Sequence, residues 1–340
     1  MIKVGLVGYG LAGSVFHEPL IRACNRLELA SVLTSRDHPL RVDSLETLLE
    51  RSDLVVVASP NRTHFPLAKS ALDQGKHVVV DKPFTVTVEE ADELIALAQK
   101  HERMMSVFHN RRWDSDFLTV QDVLPSLGEV RLFEANWDRF RPTIKDGWRE
   151  EPAPGSGLFN DLGPHLLDQA LILFGMPQAI EANIAAQRPD AKVDDFFNVS
   201  LDYGGMRVCL RASSLQPQPR PRFAIRGTRG SFDKDGLDPQ EAQLKAGVEP
   251  RSPEYGVDPE DGILTRGDGT SEHVPSRRGN YLAFYDAVAV AILEDAPVPV
   301  SPEDARAGLA LISLARRASE LGQRLAVPDA NSTAASPRAV

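Results

Sequence analysis

Short apolar runs alternate with helix-spaced stretches through the first third of the chain. Residues 2–7, 29–33, 54–58 and 77–80 are rich in Val, Ile and Leu, the pattern of strands buried on both faces of a parallel sheet. Between them, residues 12–23, 64–73 and 88–100 carry apolar side chains at helical spacing, and residues 104–108 read as a last strand. This βαβ alternation predicts a doubly wound α/β domain over residues 1–120. From about residue 132 the apolar period falls to two. Residues 132–137, 179–186, 196–202, 207–212 and 222–226 are separated by Gly and Pro turns, which predicts a large, mostly antiparallel sheet. A helix over about 161–174 interrupts those strands and directs Leu162, Leu166, Ala170 and Leu173 onto the sheet. Residues 233–275 show little periodicity and read as a long excursion with one short helix near 239–244. Helices over about 280–293 and 302–321 complete a second, α+β domain spanning 121–328, and the small polar residues 329–340 read as a disordered tail.

The length of 340 residues agrees with two domains of about 150 residues each. A hydrophobic fraction of 42% supplies two cores and excludes a disordered chain. Lys plus Arg total 38 against 48 Asp plus Glu, a net charge of −10, so nucleic acid and anionic membranes are poor partners and small molecules are favoured. The two cysteines, Cys24 and Cys209, match no ligand spacing. Neither a metal site nor a disulfide framework is expected, and a cytoplasmic setting fits. The most apolar stretch, 166–176, is broken by Asp168 and Gln169 and is too short for a membrane helix.

Chemistry concentrates at the ends of the first strands. Gly8-Tyr9-Gly10-Leu11-Ala12-Gly13 leaves the first strand and opens the first helix. There Gly8 permits a tight turn, Gly10 lets a pyrophosphate approach the backbone, and Gly13 lets helix and strand pack. That is the fingerprint of a Rossmann dinucleotide-binding domain. At the end of the second strand, where NAD-binding domains place an acidic residue, the chain reads Thr34-Ser35-Arg36-Asp37. A hydroxyl followed by a guanidinium suits a 2′-phosphate and favours NADP. An inward Asp37 would accept ribose hydroxyls instead and leave NAD as the alternative. Ser59-Pro60-Asn61-Arg62-Thr63-His64 and Asp81-Lys82-Pro83-Phe84 follow the next strands, at the sheet edge where ligands bind. Asp161 and His165, four apart at a helix start, share a face. Taken singly, Lys82 reads as well as a solvated surface charge, Asp161 as a first-turn carboxylate and His165 as a half-buried, hydrogen-bonded ring.

Gly8-Tyr9-Gly10, Asp81-Lys82-Pro83 and Asp161-Leu162-Gly163-Pro164-His165-Leu166-Leu167-Asp168 together resemble the Gfo/Idh/MocA oxidoreductase family, nearly end to end. The stretch from Phe108 to Phe117, with Trp148-Arg149-Glu150, resembles its NADP-dependent scyllo-inositol dehydrogenase branch. The resemblance implies Lys82, Asp161 and His165 as catalytic residues, and Gly8, Tyr9, Gly10, Leu11 and Gly13 around the phosphates. It implies Ser35 and Arg36 at the 2′-phosphate, with Ser59, Pro60, Asn61, His64, Asp81, Lys82, Asn110 and Arg112 along the rest of the cofactor. Trp148, Asn160 and Tyr281 are candidates for the substrate pocket. The chain departs from the family at Asp81, where Glu is usual. It also departs over residues 37–53, which are too few for the further helix and strand that relatives carry there.

The expected activity is hydride transfer between nicotinamide and a secondary alcohol or ketone of a cyclitol, with scyllo-inositol and its inosose as the leading pair. The alternatives are a dehydrogenase or reductase of another sugar or sugar derivative, including an NAD-dependent one, and a non-catalytic nucleotide-sensing regulator. Lys82, Asp161 and His165 argue against the regulator, which needs no proton-transfer group. Incomplete alternation on the second sheet suggests a homodimer or higher homo-oligomer formed through its outer face.

Overall fold

The structure is a computed structural model that describes residues 1–144, 150–153 and 155–328. The first six strands, β1 (Ile2–Val7), β2 (Leu27–Leu33), β3 (Arg41–Val42), β4 (Leu54–Val57), β5 (His77–Asp81) and β6 (Met105–Phe108), form one parallel sheet in the order β3-β2-β1-β4-β5-β6. β4 is Leu-Val-Val-Val with every residue buried, as a central strand covered on both faces must be. The order reverses beside β1, so the glycine turn after β1 lies at the switch point where such sheets bind ligands.

The connecting helices are α1 (Glu18–Ala23), α2 (Leu45–Glu50), α3 (His64–Asp73) and α4 (Val88–Lys100). The helix expected over 12–23 is divided: Ala12–His17 is a π-helical turn and only Glu18–Ala23 is α-helical. Pro19 has no N–H to give the preceding turn, so the regular ladder cannot run through this point. The wider turn brings His17 to full burial. Residues 37–53, read from the sequence as lacking a helix and strand, contain both β3 and α2 in shortened form. Ser44 caps α2 by accepting from the Thr47 amide at 3.1 Å, but six residues are too few to display a helical period.

After α5 (Ser115–Val123) the chain forms β7 (Val130–Asp138), α6 (Leu158–Phe174), β8 (Ala179–Ala185), β9 (Phe196–Asp202), β10 (Arg207–Ser213), β11 (Phe223–Gly227) and β12 (Gly230–Lys234). It continues through α7 (Gln240–Lys245), β13 (Gly262–Arg266), β14 (Ser271–Val274), α8 (Leu282–Glu294), α9 (Pro302–Leu321) and β15 (Leu325–Ala326). β7 to β15 make a second sheet in the order β14-β13-β12-β11-β7-β10-β9-β8-β15, antiparallel except for β7 with β10. Its core combines Phe133, Phe197, Leu210 and Phe223 with Phe159, Leu162 and Leu166 of α6. The alternation is stricter than the sequence reading allowed. β9 alternates half-buried and buried residues throughout, and the opposite face carries Glu134 paired with Arg211, beside Asn198. The excursion over 233–275 does contain the short helix α7, but it also holds the hairpin β13–β14. β14 exposes three of its four residues and so carries no apolar alternation to read.

Packing divides the chain differently from a single cut near residue 120. One compact unit comprises Met1–Ser115, Asp238–Val257 and Arg278–Leu309; the other comprises Asp116–Leu237, Asp258–Arg277 and Ala310–Val340. Tyr255, Tyr281, Phe284, Tyr285 and Val288 belong to the hydrophobic core of the first unit, together with the parallel strands. The tail expected over 329–340 lies outside the described residues.

Candidate functional site

The glycine turn after β1 is dictated by contacts that a side chain would violate. Gly8 has φ +96°, and a Cβ there would lie 2.6 Å from the Ala58 carbonyl oxygen. A Cβ on Gly13 would meet the Gly8 carbonyl oxygen at 2.2 Å. Around Gly10 the space is open to 4 Å, so its backbone can be approached from outside. This is the distribution of constraint a dinucleotide cradle needs: two glycines shape the turn and the third leaves room for the pyrophosphate. Leu11 beside it is exposed.

Ser35, Arg36 and Asp37 are all exposed at the end of β2, with the Thr34 hydroxyl accepting from the Arg36 amide at 3.0 Å. Beside them lies a polar cluster. His38 Nδ1 accepts the Leu40 amide at 3.1 Å, so the proton is on Nε2, which donates to Glu18 at 3.3 Å. The Tyr9 hydroxyl also donates to Glu18, and its ring meets His38 edge-on at 4.8 Å. Burial and the Glu18 hydrogen bond push the Tyr9 hydroxyl up to about 12. Burial opposes ionisation of Glu18, but hydrogen bonds from Tyr9, Arg22 and His38 outweigh it and hold the carboxyl below its usual range. Ser35 and Arg36 thus lie exposed beside a Glu18 charge that Tyr9, Arg22 and His38 already answer.

On the loops after β4 and β5, Ser59 shares a 2.6 Å hydrogen bond with Thr63, and the half-buried Asn61 opens a 3₁₀ turn behind the exposed Pro60. Asp81 accepts the Lys82 amide at 2.8 Å and faces His17 at 3.8 Å, and the hydroxyl of Tyr285 is 2.6 Å from the other nitrogen of that ring. Burial raises the cost of charge on Asp81; His17, then His64 and Lys82, overcome it and keep the carboxyl low. Asp81 is therefore anchored by side chains of the same unit. His64 differs from expectation. Its ring is 1% exposed and its nitrogens face two backbone carbonyls, so it supports the loops instead of offering a ligand contact.

The stretch Asn110–Trp113 is a 3₁₀ turn whose first two residues are buried. Arg111 donates to Glu241 at 2.7 Å, to the Tyr281 hydroxyl at 3.2 Å and to Asp114 at 3.4 Å, and Tyr281 donates to Asp114 at 2.7 Å. Burial opposes the charge on Glu241, yet Arg111 and Lys245 lower its carboxyl to about 2. Tyr281, expected in the substrate pocket, is fully buried with its hydroxyl engaged in this network, a packing role. Arg112 is directed to Asp304 at 3.4 Å, while Asn110 is buried.

In the second unit α6 carries Asp161 in its first turn and the buried His165 one turn later. The helix starts at Leu158, earlier than the sequence suggested, and runs through Gly163-Pro164. A Cβ on Gly163 would meet the Phe159 ring at 2.7 Å, so glycine lets that ring pack under the helix. The N-cap position is Gly157, at φ +91°, which has no side chain to cap with. Asp194 takes over: its backbone carbonyl accepts the Leu158 amide at 2.8 Å, and its carboxylate accepts the Phe159 amide at 2.6 Å and Arg316 at 3.2 Å. Asn160 donates to the Ser156 carbonyl at 2.6 Å. Trp148 and Arg149 lie outside the described residues. No local pattern marks Asp194, His17 or Tyr285, because their partners are distant in sequence.

Residues 2–109 match the family described as the Gfo/Idh/MocA oxidoreductase NAD-binding Rossmann fold, and residues 125–327 match its C-terminal alpha/beta domain. The chain belongs to the Gfo/Idh/MocA oxidoreductase family. It is 46% identical over 328 residues to the uncharacterized oxidoreductase YdgJ of Escherichia coli, covering 92% of this chain and 95% of that one. It is 38% identical over 336 residues to scyllo-inositol 2-dehydrogenase (NADP(+)) IolW of Bacillus subtilis, with 94% of each chain covered. The crystal structure of an oxidoreductase from Bacillus cereus superposes with a TM-score of 0.89 at 30% identity, covering 97% of this chain and 99% of that one. This Gfo/Idh/MocA protein is thus an oxidoreductase with a Rossmann NAD(P)-binding domain. Among its described residues no helix is long and apolar enough to cross a membrane.

Proposed function

We propose that the protein is an NADP-dependent dehydrogenase of a cyclitol, interconverting scyllo-inositol and its inosose. The observation that carries the reading is the 38% identity over 94% of both chains to a B. subtilis enzyme named for that substrate and cofactor. Exposed Ser35 and Arg36 support NADP, since a planar guanidinium and a hydroxyl suit a 2′-phosphate. Gly8, Gly10 and Gly13 would hold the pyrophosphate, and the bound cofactor supplies the hydride-accepting nicotinamide.

In the oxidation direction a His165 ring nitrogen takes the substrate's hydroxyl proton. Imidazole is suited to this because it gains and loses a proton near neutrality. The Lys82 ammonium offsets the negative charge developing on the substrate oxygen. Asp161, one turn before His165 on α6, orients that ring or a second substrate hydroxyl. In reduction His165 returns the proton. Asn160, Asp161 and His165 offer directional partners suited to a ring of several hydroxyls. A cytoplasmic setting and assembly into two or more copies belong to the same reading.

The test is the initial rate of nicotinamide absorbance change with NADP and NAD, each offered against scyllo-inositol, other cyclitols and sugars. The expected result is turnover of scyllo-inositol with NADP preferred. Turnover confined to a different sugar, or a preference for NAD, would replace the substrate or cofactor assignment.

A further inference from the structure

His64 presents a problem of donors. At 1% exposure, its Nδ1 lies 2.9 Å from the Pro83 carbonyl oxygen and its Nε2 lies 2.9 Å from the Ser59 carbonyl oxygen. Carbonyl oxygens only accept, and a neutral imidazole has a single N–H. Either neutral tautomer would set a ring lone pair against a carbonyl lone pair in the interior. A ring protonated on both nitrogens satisfies both contacts.

We propose that His64 is a buried imidazolium whose two N–H groups tie the loop after β4 to the Lys82-Pro83 turn after β5, holding both loops in place for the cofactor. His64 is a positioning residue in this scheme. The charges around it allow the arrangement. Asp81, at the end of β5, supplies the compensating carboxylate, itself faced by His17 at 3.8 Å. Against the cation stand the Lys82 ammonium on the same turn, Arg62 in the preceding 3₁₀ turn, and the positive end of α3, which His64 begins. Two charge-assisted hydrogen bonds and the Asp81 charge must exceed those opposing terms. The consequence is directional: loss of the second proton as pH rises removes one of the two ties and loosens the cradle. The functional meaning rests on the family's Rossmann domain binding NAD(P), not on the identity of the polyol.

The test begins on the intact protein with ¹⁵N-labelled histidine, the His64 signals being assigned by their loss in His64→Gln. Both ring nitrogens should be protonated at neutral pH; a neutral tautomer there overturns the proposal. The second arm measures by protein fluorescence, against pH, the dissociation constants of NADP and NAD and follows whichever binds more tightly. That constant should rise about tenfold over the pH interval in which the His64 ring loses its proton, since one charge-assisted bond is worth at least that factor. His64→Gln keeps an amide donor but does not titrate, so its affinity for that cofactor should be weaker near neutrality and lack that step. A step unchanged in the variant overturns the proposal. Neither arm requires a substrate, so failure to turn over any cyclitol would count against the proposed activity and leave this result standing.

Discussion

Alanine at His165 removes the group proposed to exchange the substrate's proton while leaving the glycine cradle untouched. Turnover should fall by about 10²- to 10⁴-fold, the range for loss of a general acid/base. NADP affinity measured by fluorescence should stay within about twofold, because no cofactor contact is removed. Lys82→Ala should also lose most turnover, and wild-type turnover in either variant would remove that residue from the mechanism. Single residues were legible to different degrees. The role of Gly13 follows from spacing because its constraint is local, the Gly8 carbonyl five residues earlier, whereas Gly8 is confined by Ala58 fifty residues on. Tyr281 and His64, expected at the substrate and the cofactor, instead hydrogen-bond to Asp114 and to the Pro83 and Ser59 carbonyls of the protein itself. Nothing in a motif separates a histidine that touches a cofactor from one that holds the loops beneath it.

At the scale of elements, α6 matters most because it carries Asp161 and His165. Its first turn depends on a residue 35 positions away, Asp194, whose carboxylate accepts the Phe159 amide and pairs with Arg316. Asp194→Ala should lower the unfolding free energy by about 1–2 kcal/mol, as loss of a helix cap does, measured by urea titration. It should also reduce kcat more than KM, since the start of the helix loses its anchor. Asp194→Asn keeps an acceptor and should recover part of both. Equal stability of the alanine variant would show that the amide is satisfied by water. The core of α6 was visible in the spacing of Leu162, Leu166 and Ala170, but its start was not. Gly157 hides the cap, because it has no side chain to mark the start. The β13–β14 hairpin was illegible for a different reason: an edge strand exposed on both faces needs no apolar pattern.

The whole molecule is held by pairings between segments far apart in the chain, and these predict its response to acid. Glu241 on α7 meets Arg111, 130 positions earlier, within the first unit, to which residues 238–257 of the long excursion belong. Sequence periodicity could place both domains but not this interleaving, in which Leu244, Tyr255 and Tyr281 join the core of strands more than 100 residues earlier. With its carboxyl lowered from 4.5 to about 2, Glu241 binds its proton less readily in the folded chain than in the unfolded one. Its contribution is therefore complete above about pH 4.5 and is lost as pH falls through about 2. The shift sets an upper bound of about 3 kcal/mol, reduced in practice because a quarter of the side chain is exposed. Glu241→Gln should be less stable than the wild type at pH 7 by about 1–3 kcal/mol, with Arg111 still held by Asp114 and Tyr281. The gap between the two unfolding free energies should narrow steadily from pH 5 downwards and nearly close by pH 2. A gap that stays constant across that range would mean that Glu241 contributes by packing and not through its charge.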